Sequence, residues 1–403
     1  MNTGATMSAP TTAKATDCKH RRPQTLPPFE CIALLLQGGG ALGAYQAGVY
    51  EALSEAQLIP DWVAGISIGA VNAALIAGNP PEARVAKLRE FWNLLTTGTG
   101  WEGIGQFAVA TCGVRGEFAR GLMNQLSAGA ALLSGVSGFF SPRVPISWLQ
   151  PAGSLEAISY YDTAPLKATL ERLVDFERIR AGEIRLSIGT VNVSTGNFLY
   201  FDNSTHTIGP AHVMASGALP PGFPPIEIEG EFYWDGGLVS NTPLQWVLES
   251  DPPRDTLAFQ VDLWSARGAL PRTMPEVMTR QKEIQFSSRT RNGSDRFKHT
   301  QKMRNALASL LQKLPVELKN SPELALLKAH VQPKVYNLVQ LIYRAKQYEG
   351  DSKDYEFSRL SMEDHWRAGY YDTVHTLRHP EVLQRPNNLE GVMTFDLSQN
   401  GRE

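Results

Sequence analysis

The chain has 403 residues, is 42% hydrophobic, and sets 38 basic against 40 acidic side chains for a formal net charge of −2. That length supports a large buried core with one main domain and an accessory region, and the balanced charge offers nothing that would draw the chain to nucleic acid. Cys18, Cys31 and Cys112 are too few and too widely spaced for a disulfide framework or a metal motif, and no run of about 20 apolar residues is present to span a bilayer.

Residues 1–29 are rich in Thr, Ala and Pro and lack the apolar stretch of a secretory signal, so they are expected to be a disordered leader. Ile32 to Leu36 reads as a buried strand. Gln37-Gly38-Gly39-Gly40-Ala41-Leu42-Gly43 follows it, and Ala44, Ala47, Val49, Ala52 and Leu53 then recur at helical spacing. Glycines at a strand-to-helix junction leave backbone N–H groups uncovered. The helix dipole adds positive potential there, which suits a phosphate or the oxyanion of an acyl-transfer intermediate. Trp62 to Ala64 is a second short apolar run. Gly65-Ile66-Ser67-Ile68-Gly69 and an Ala-rich helix follow, an order that presents a serine hydroxyl on a sharp turn.

Ala83 to Leu95 reads as an amphipathic helix packed on the sheet. The stretch 103–150 is Gly/Ala/Leu-rich between Phe118 and Phe140 and ends in Phe139-Phe140. It reads as a packed helix pair, or as a cap that lines an acyl pocket and dips Phe139-Phe140 into lipid. Asp162-Thr163-Ala164-Pro165 starts a helix. Ile184 to Val193 and Phe198 to Phe201 form a hairpin around Ser194-Thr195-Gly196-Asn197. Ala215 to Pro225 is a helix end running into a Pro-locked loop, and Tyr233-Trp234-Asp235-Gly236-Gly237 places a carboxylate on a bend with little side-chain cover. Leu257 to Leu263 is a further core strand. After Trp264, residues 272–310 are helical and basic, Val335 to Tyr343 reads as a strand, and Asp354 to Leu377 as an aromatic-rich helix. The basic run reads as a solvated helical face or an anionic-lipid contact.

The glycine-rich loop, Gly-x-Ser-x-Gly and Asp-Gly-Gly, in that order between about Cys31 and Asp262, resemble the patatin-like phospholipase family. The resemblance implies a three-layer α/β fold with a largely parallel central sheet and helices on both faces, here with a mixed C-terminal extension. It implies Ser67 as nucleophile, Asp235 as general base and acid, and Gly38, Gly39 and Gly40 as the oxyanion loop. Gly43, Gly65, Gly69, Gly236 and Gly237 support the turns. Where that family carries Arg or Lys, two positions after the third glycine, this chain has Leu42. A bacterial subgroup with an added C-terminal region reads Gly-Gly-Gly-Ala-Leu-Gly in the same way.

The domains expected are a leader (1–29), a catalytic part (30–264) and a docked accessory part (265–403). The function expected is hydrolysis of phospholipid or related carboxylic esters through an acyl-enzyme, with no cofactor and no metal. The implied partner is a lipid or ester substrate, met in the cytoplasm or at the periphery of the inner membrane; oligomeric state is not legible. Acyl transfer, cleavage of short or hydroxyalkanoate esters, and a non-catalytic lipid-binding module are the alternatives. Gly38-x-Gly40-x-x-Gly43 also fits a dinucleotide fingerprint, but the next strand does not end in the acidic residue that reading needs. A Ser-Asp-His triad is permitted by chain order, but only one strand precedes the elbow strand, which is poor for an α/β-hydrolase.

Overall fold

The computed structural model describes residues 27–97, 117–249, 252–287, 289–313, 324, 327, 331, 334–388 and 390–397. Most of the expected leader and the first part of the expected cap, up to residue 116, lie outside them.

Among the described residues, nine strands form one sheet: β1 (Cys31–Leu36), β2 (Trp62–Ile66), β5 (Arg185–Asn192), β6 (Phe198–Asp202), β7 (Ile226–Ile228), β8 (Glu231–Asp235), β9 (Thr256–Asp262), β10 (Tyr336–Ile342) and β11 (Val392–Phe395). The remaining pair, β3 (Ser141–Pro142) and β4 (Tyr161–Asp162), is a separate short ladder. The order across the main sheet is β11-β10-β9-β1-β2-β5; β6 and β8 both pair with β5, and β7 pairs with β8. From β11 to β5 every pairing is parallel; β6, β7 and β8 join antiparallel.

The parallel strands are covered on both sides, as parallel sheets require. Their alternate residues separate two cores. Leu34, Val63, Ile188 and Phe259 join the cluster formed with α1 (Ala44–Glu55), α2 (Ile68–Ala77) and α3 (Arg84–Thr96). Ala33, Ala64, Ala258 and Leu338 join a second one containing Leu244 and Phe297. The sheet does not stop at Trp264, since β10 pairs with β9 along its whole length.

The remaining helices are α4 (Glu117–Ser134), α5 (Ala164–Leu173), α6 (Phe176–Ala181), α7 (Pro210–Ser216), α8 (Leu244–Leu248), α9 (Met274–Ser287), α10 (Arg289–Gln312) and α11 (Arg359–Leu377). Two expectations are corrected here, and in a third case one of the two readings of a segment is favoured. First, α3 packs mainly on α2 and α1 rather than on the sheet, because α2 already covers that face; Trp92 Nε1 donates to Asn72 Oδ1 at 3.1 Å. Second, the aromatic-rich helix starts at Arg359, not Asp354, because the Ser358 hydroxyl accepts the Ser361 N–H at 3.3 Å and caps it there. Third, the described part of the segment ending at Phe140 is one helix and a tight turn. Phe139 and Phe140 are buried, packed against Phe223, Tyr161 and Phe357, so they are core and not a lipid-facing tip.

Candidate active site

The site follows from how two strands share one edge of β5. On the opposite edge, β6 pairs with Ser187 to Val191. On the shared edge, β2 runs parallel up to Ile66, opposite Gly189, and β8 runs antiparallel down to Asp235, opposite Thr190. The two strands therefore meet tip to tip. The residue that follows Ile66 is Ser67, and the residue that ends β8 is Asp235.

Ser67 is half-buried at the N-terminus of α2, with φ 57° and ψ −128°, a left-handed conformation that a serine adopts only under strain. Its flanking glycines are there for space: a Cβ on Gly69 would collide with the Leu36 carbonyl, and one on Gly65 with the Gly69 carbonyl. Packing around Ser67 thus brings β1, β2 and α2 into backbone contact. Gly43 has the same role one layer out, where a Cβ would press on Ile68 and Trp92.

Asp235 is 2% exposed. Burial pushes its carboxyl up to about 7, against the pull of two donors: the Ser67 hydroxyl, which is its hydrogen-bonding neighbour, and the Gly237 N–H, which donates to Oδ1 at 2.7 Å. Gly236 sits where a Cβ would strike the Gly189 carbonyl, and Gly237 stands against both Asp235 and Asn241. No described histidine hydrogen-bonds Ser67 or Asp235; the buried His365 instead faces Glu349 at 3.4 Å.

The glycine loop lies over the serine. A Cβ on Gly38 would be 2.8 Å from the Ser67 Cβ, and Gly39 stands against Leu263 and Trp264. Gly40 has φ +55° with its Cα against the Asp354 carbonyl. The three glycines are not equivalent as donors. Gly38 N–H already donates to Asn241 Oδ1 at 3.1 Å, whereas neither the Gly39 nor the Gly40 N–H donates to a described residue. Leu42, at the position where the resembled family carries Arg or Lys, is fully buried and lends the loop no charge.

Several residues that hold this arrangement were not singled out by sequence reasoning. Ser216, fully buried at the end of α7, accepts the Ser67 N–H at 2.9 Å and donates to the Gly189 carbonyl at 2.7 Å, locking the turn to β5. Asn241 also donates to the Gly38 carbonyl at 3.0 Å, and Trp264 Nε1 donates to the same oxygen at 3.0 Å. Gln37 accepts from Leu263 and Trp264 N–H and donates to Thr242 and Phe286. Of these, Ser216 falls within the Ala215 to Pro225 segment and Gln37 within the glycine-rich segment, but neither position carried a signal of this role. Ser216 is one serine among many until the fold brings it across 149 residues to Ser67.

Chemically, the structure sets a hydroxyl on a strained turn against a buried carboxyl of raised pKa, beside a glycine loop whose Gly39 and Gly40 N–H groups donate to no described residue. That is the equipment of acyl transfer. Comparison with protein families agrees in kind. The sequence pattern of the family described as Patatin-like phospholipase matches residues 34–248, more than half the chain, and one described as Patatin phospholipase matches residues 284–389. The crystal structure of VipD from Legionella pneumophila is similar at TM-score 0.38 and 16% identity, over 92% of this chain and 72% of that one. No curated protein matches.

Proposed function

This chain belongs to the patatin-like phospholipase family, and from that premise we propose that it hydrolyses lipid carboxylic esters through Ser67 and Asp235. Family membership gives the coarse activity, a lipid hydrolase. The observation that supports the finer reading is the tip-to-tip meeting of β2 and β8 on β5, which sets a buried carboxyl of raised pKa against the only serine on a left-handed turn among the described residues.

In this reading Ser67 Oγ attacks the ester carbonyl as its proton passes to the Asp235 carboxylate. The carbonyl oxygen becomes an oxyanion, held by the Gly39 and Gly40 N–H groups and by the N–H of Ile68 at the start of α2. Collapse of the tetrahedral species breaks the ester C–O bond, and protonated Asp235 gives its proton to the leaving alcohol. Water then enters, Asp235 takes one of its protons, and the acyl-Ser67 ester is cleaved with the proton returned to Oγ. A carboxyl near pH 7 is far better matched to this task than free aspartate, whose pKa is about 3.9. Residues 30–264 carry the chemistry in this reading. Residues 265–403 are the accessory part, whose strands extend the sheet and whose Asp354 carbonyl buttresses the glycine loop.

The test is hydrolysis of p-nitrophenyl esters of graded chain length and of mixed phospholipid vesicles, with EDTA present, by wild type, Ser67→Ala and Asp235→Asn. Activity lost in both variants while each stays folded is the expected result, and the chain-length profile defines the acyl preference. Turnover that persists without Ser67 would sink the reading.

A further inference from the structure

Large apolar side chains are exposed on three neighbouring elements at the carboxyl end of the parallel strands, the end that carries Ser67. On α4, Leu122, Leu126 and Leu133 recur at i, i+4 and i+11, one stripe of the helix, and Leu133 is 84% exposed. The loop from Arg143 to Ile158, between β3 and β4, exposes Val144 (92%), Trp148 (83%) and Leu149. On α9, Met274, Val277, Met278 and Ile284 are exposed beside Leu270. Single exposed apolar residues need no explanation, but a face of this extent does. From Gly121 to Tyr161 the sequence has only two charges, Arg143 and Glu156.

Between α4 and α9 lies an open groove of about 1170 Å³ at the ends of β9, β10 and β11. Six of its lining side chains are cationic and four are acidic. Two of the cations, Arg280 and Lys353, are held by Glu283 at 3.1 and 2.8 Å. Arg344 and Lys346 reach carboxylates only at 3.8 and 4.0 Å, in long, half-exposed pairs, and Arg272 is exposed. The face is thus apolar on both flanks with a positive groove between them.

We propose that this face docks the protein on an anionic phospholipid surface. The α4 and α9 stripes and Trp148 enter the head-group region, and Arg272, Arg344 and Lys346 take lipid phosphates. Trp at the tip and aliphatic side chains around a basic patch are the combination that binds at an interface without crossing it, and no described helix is long and apolar enough to cross. The charge decides against a second copy of this chain as occupant, because a twofold contact would face this positive groove with itself. The surface also connects to the site. Asp235 N–H donates to the Ala218 carbonyl, and the loop that follows accepts from Tyr160 and Tyr161 N–H through Pro221 and Gly222. Tyr161 Oη in turn donates to the Leu132 carbonyl at the end of α4. A bilayer under α4 and the 143–158 loop is therefore linked through these hydrogen bonds to the backbone of Asp235. The inference rests on the lipid-ester reading of the Ser67–Asp235 site, but binding is measured apart from turnover.

The experiment is vesicle flotation of the full chain carrying Ser67→Ala, which stops hydrolysis. The vesicles are phosphatidylcholine alone, or phosphatidylcholine with one-third phosphatidylglycerol. The parent should float with the anionic vesicles, less so as salt is raised. Leu133→Glu with Trp148→Glu should weaken binding about tenfold or more. Arg344→Ala with Lys346→Ala should weaken it about fivefold per charge on anionic vesicles and leave binding to phosphatidylcholine unchanged. All four side chains are exposed or half-exposed, and circular dichroism checks that the variants fold. Parent-like flotation by the Glu variant overturns the proposal. So does a concentration-dependent dimer in sedimentation that the Glu variant dissolves while flotation persists. With Ser67 intact, the surface variants should hydrolyse p-nitrophenyl butyrate as wild type does. A wild type inactive on every ester would count against the hydrolase reading and leave the flotation result standing.

Discussion

Two aspartates end strands of the same sheet, and the difference between them separates the proposed general base from a buried carboxyl of similar pKa. Asp235 ends β8 and Asp262 ends β9; both are buried, and burial pushes both carboxyls up to about 7. Asp262 owes its rise first to burial and then to the neighbouring Asp396, with Gln260 donating to Oδ2 at 2.6 Å in opposition. A raised pKa is therefore not the distinguishing property. Asp235 meets a strained serine and a turn of glycines, whereas Asp262 meets a glutamine and a second carboxylate. Burial tunes both carboxyls; topology sets only one of them against a serine, the proposed nucleophile.

Exchanging the two side chains for neutral isosteres breaks that comparison most strongly in the rate. Asp235→Asn and Ser67→Ala should each lower kcat/KM by about 10⁴ or more, since the proposed mechanism uses the two as a unit, while Asp262→Asn should stay within about threefold of wild type. Steady-state kinetics on a soluble p-nitrophenyl ester reads both.

In stability the two aspartates should behave alike. Each has a folded pKa of about 7, above its ordinary value of 3.8. A raised folded pKa means that the folded chain holds the proton more tightly than the unfolded one. The resulting stability is complete below about pH 4 and is lost as pH rises through 7. Asp235→Asn and Asp262→Asn should therefore each be more stable than wild type at pH 8, by a few kcal/mol, and the gap should close towards pH 4. Thermal unfolding across that range checks the sign. A gap that widens on acidification would refute it. At Asp235 the result is a trade of stability for activity; at Asp262 the gain should leave turnover intact.

The smallest effect concerns the support of the serine. Ser216→Ala leaves the Ser67 N–H without its acceptor, which costs about 1–3 kcal/mol of stability. It should lower kcat by about 10–100-fold with little change in KM. Ser216→Thr, which keeps the hydroxyl, should recover part of the rate if it fits. Equal kcat in wild type and Ser216→Ala would remove Ser216 from the positioning role.

The sequence carried the parts of this site that are local. Gly65-Ile66-Ser67-Ile68-Gly69 and Asp235-Gly236-Gly237 are legible because a tight turn leaves its requirement for small residues in adjacent positions. The alternation of strands and helices up to Leu263 is legible for the same reason, through period and punctuation. The shared edge of β5 is not legible, because it is made by the register of two strands, β2 and β8, that lie far apart in the chain. Ser216 is hidden in the same way. Phe139-Phe140 shows a different limit: hydrophobicity says that a side chain prefers to leave water, but not whether core or lipid receives it. The fold puts these rings against Phe223, and leaves Val144 and Trp148, a few residues on, in the open.

The most direct test of the account is the pH dependence of kcat/KM on a soluble ester, in wild type and in Asp262→Asn. The general base must be ionised to take the Ser67 proton, so activity should rise with pH through a limb near 7 in both proteins. A limb near 4 would mean that Asp235 is not held in the buried state described here. A limb near 7 that vanishes in Asp262→Asn would assign the titration to the wrong strand end and contradict the pairing of Ser67 with Asp235.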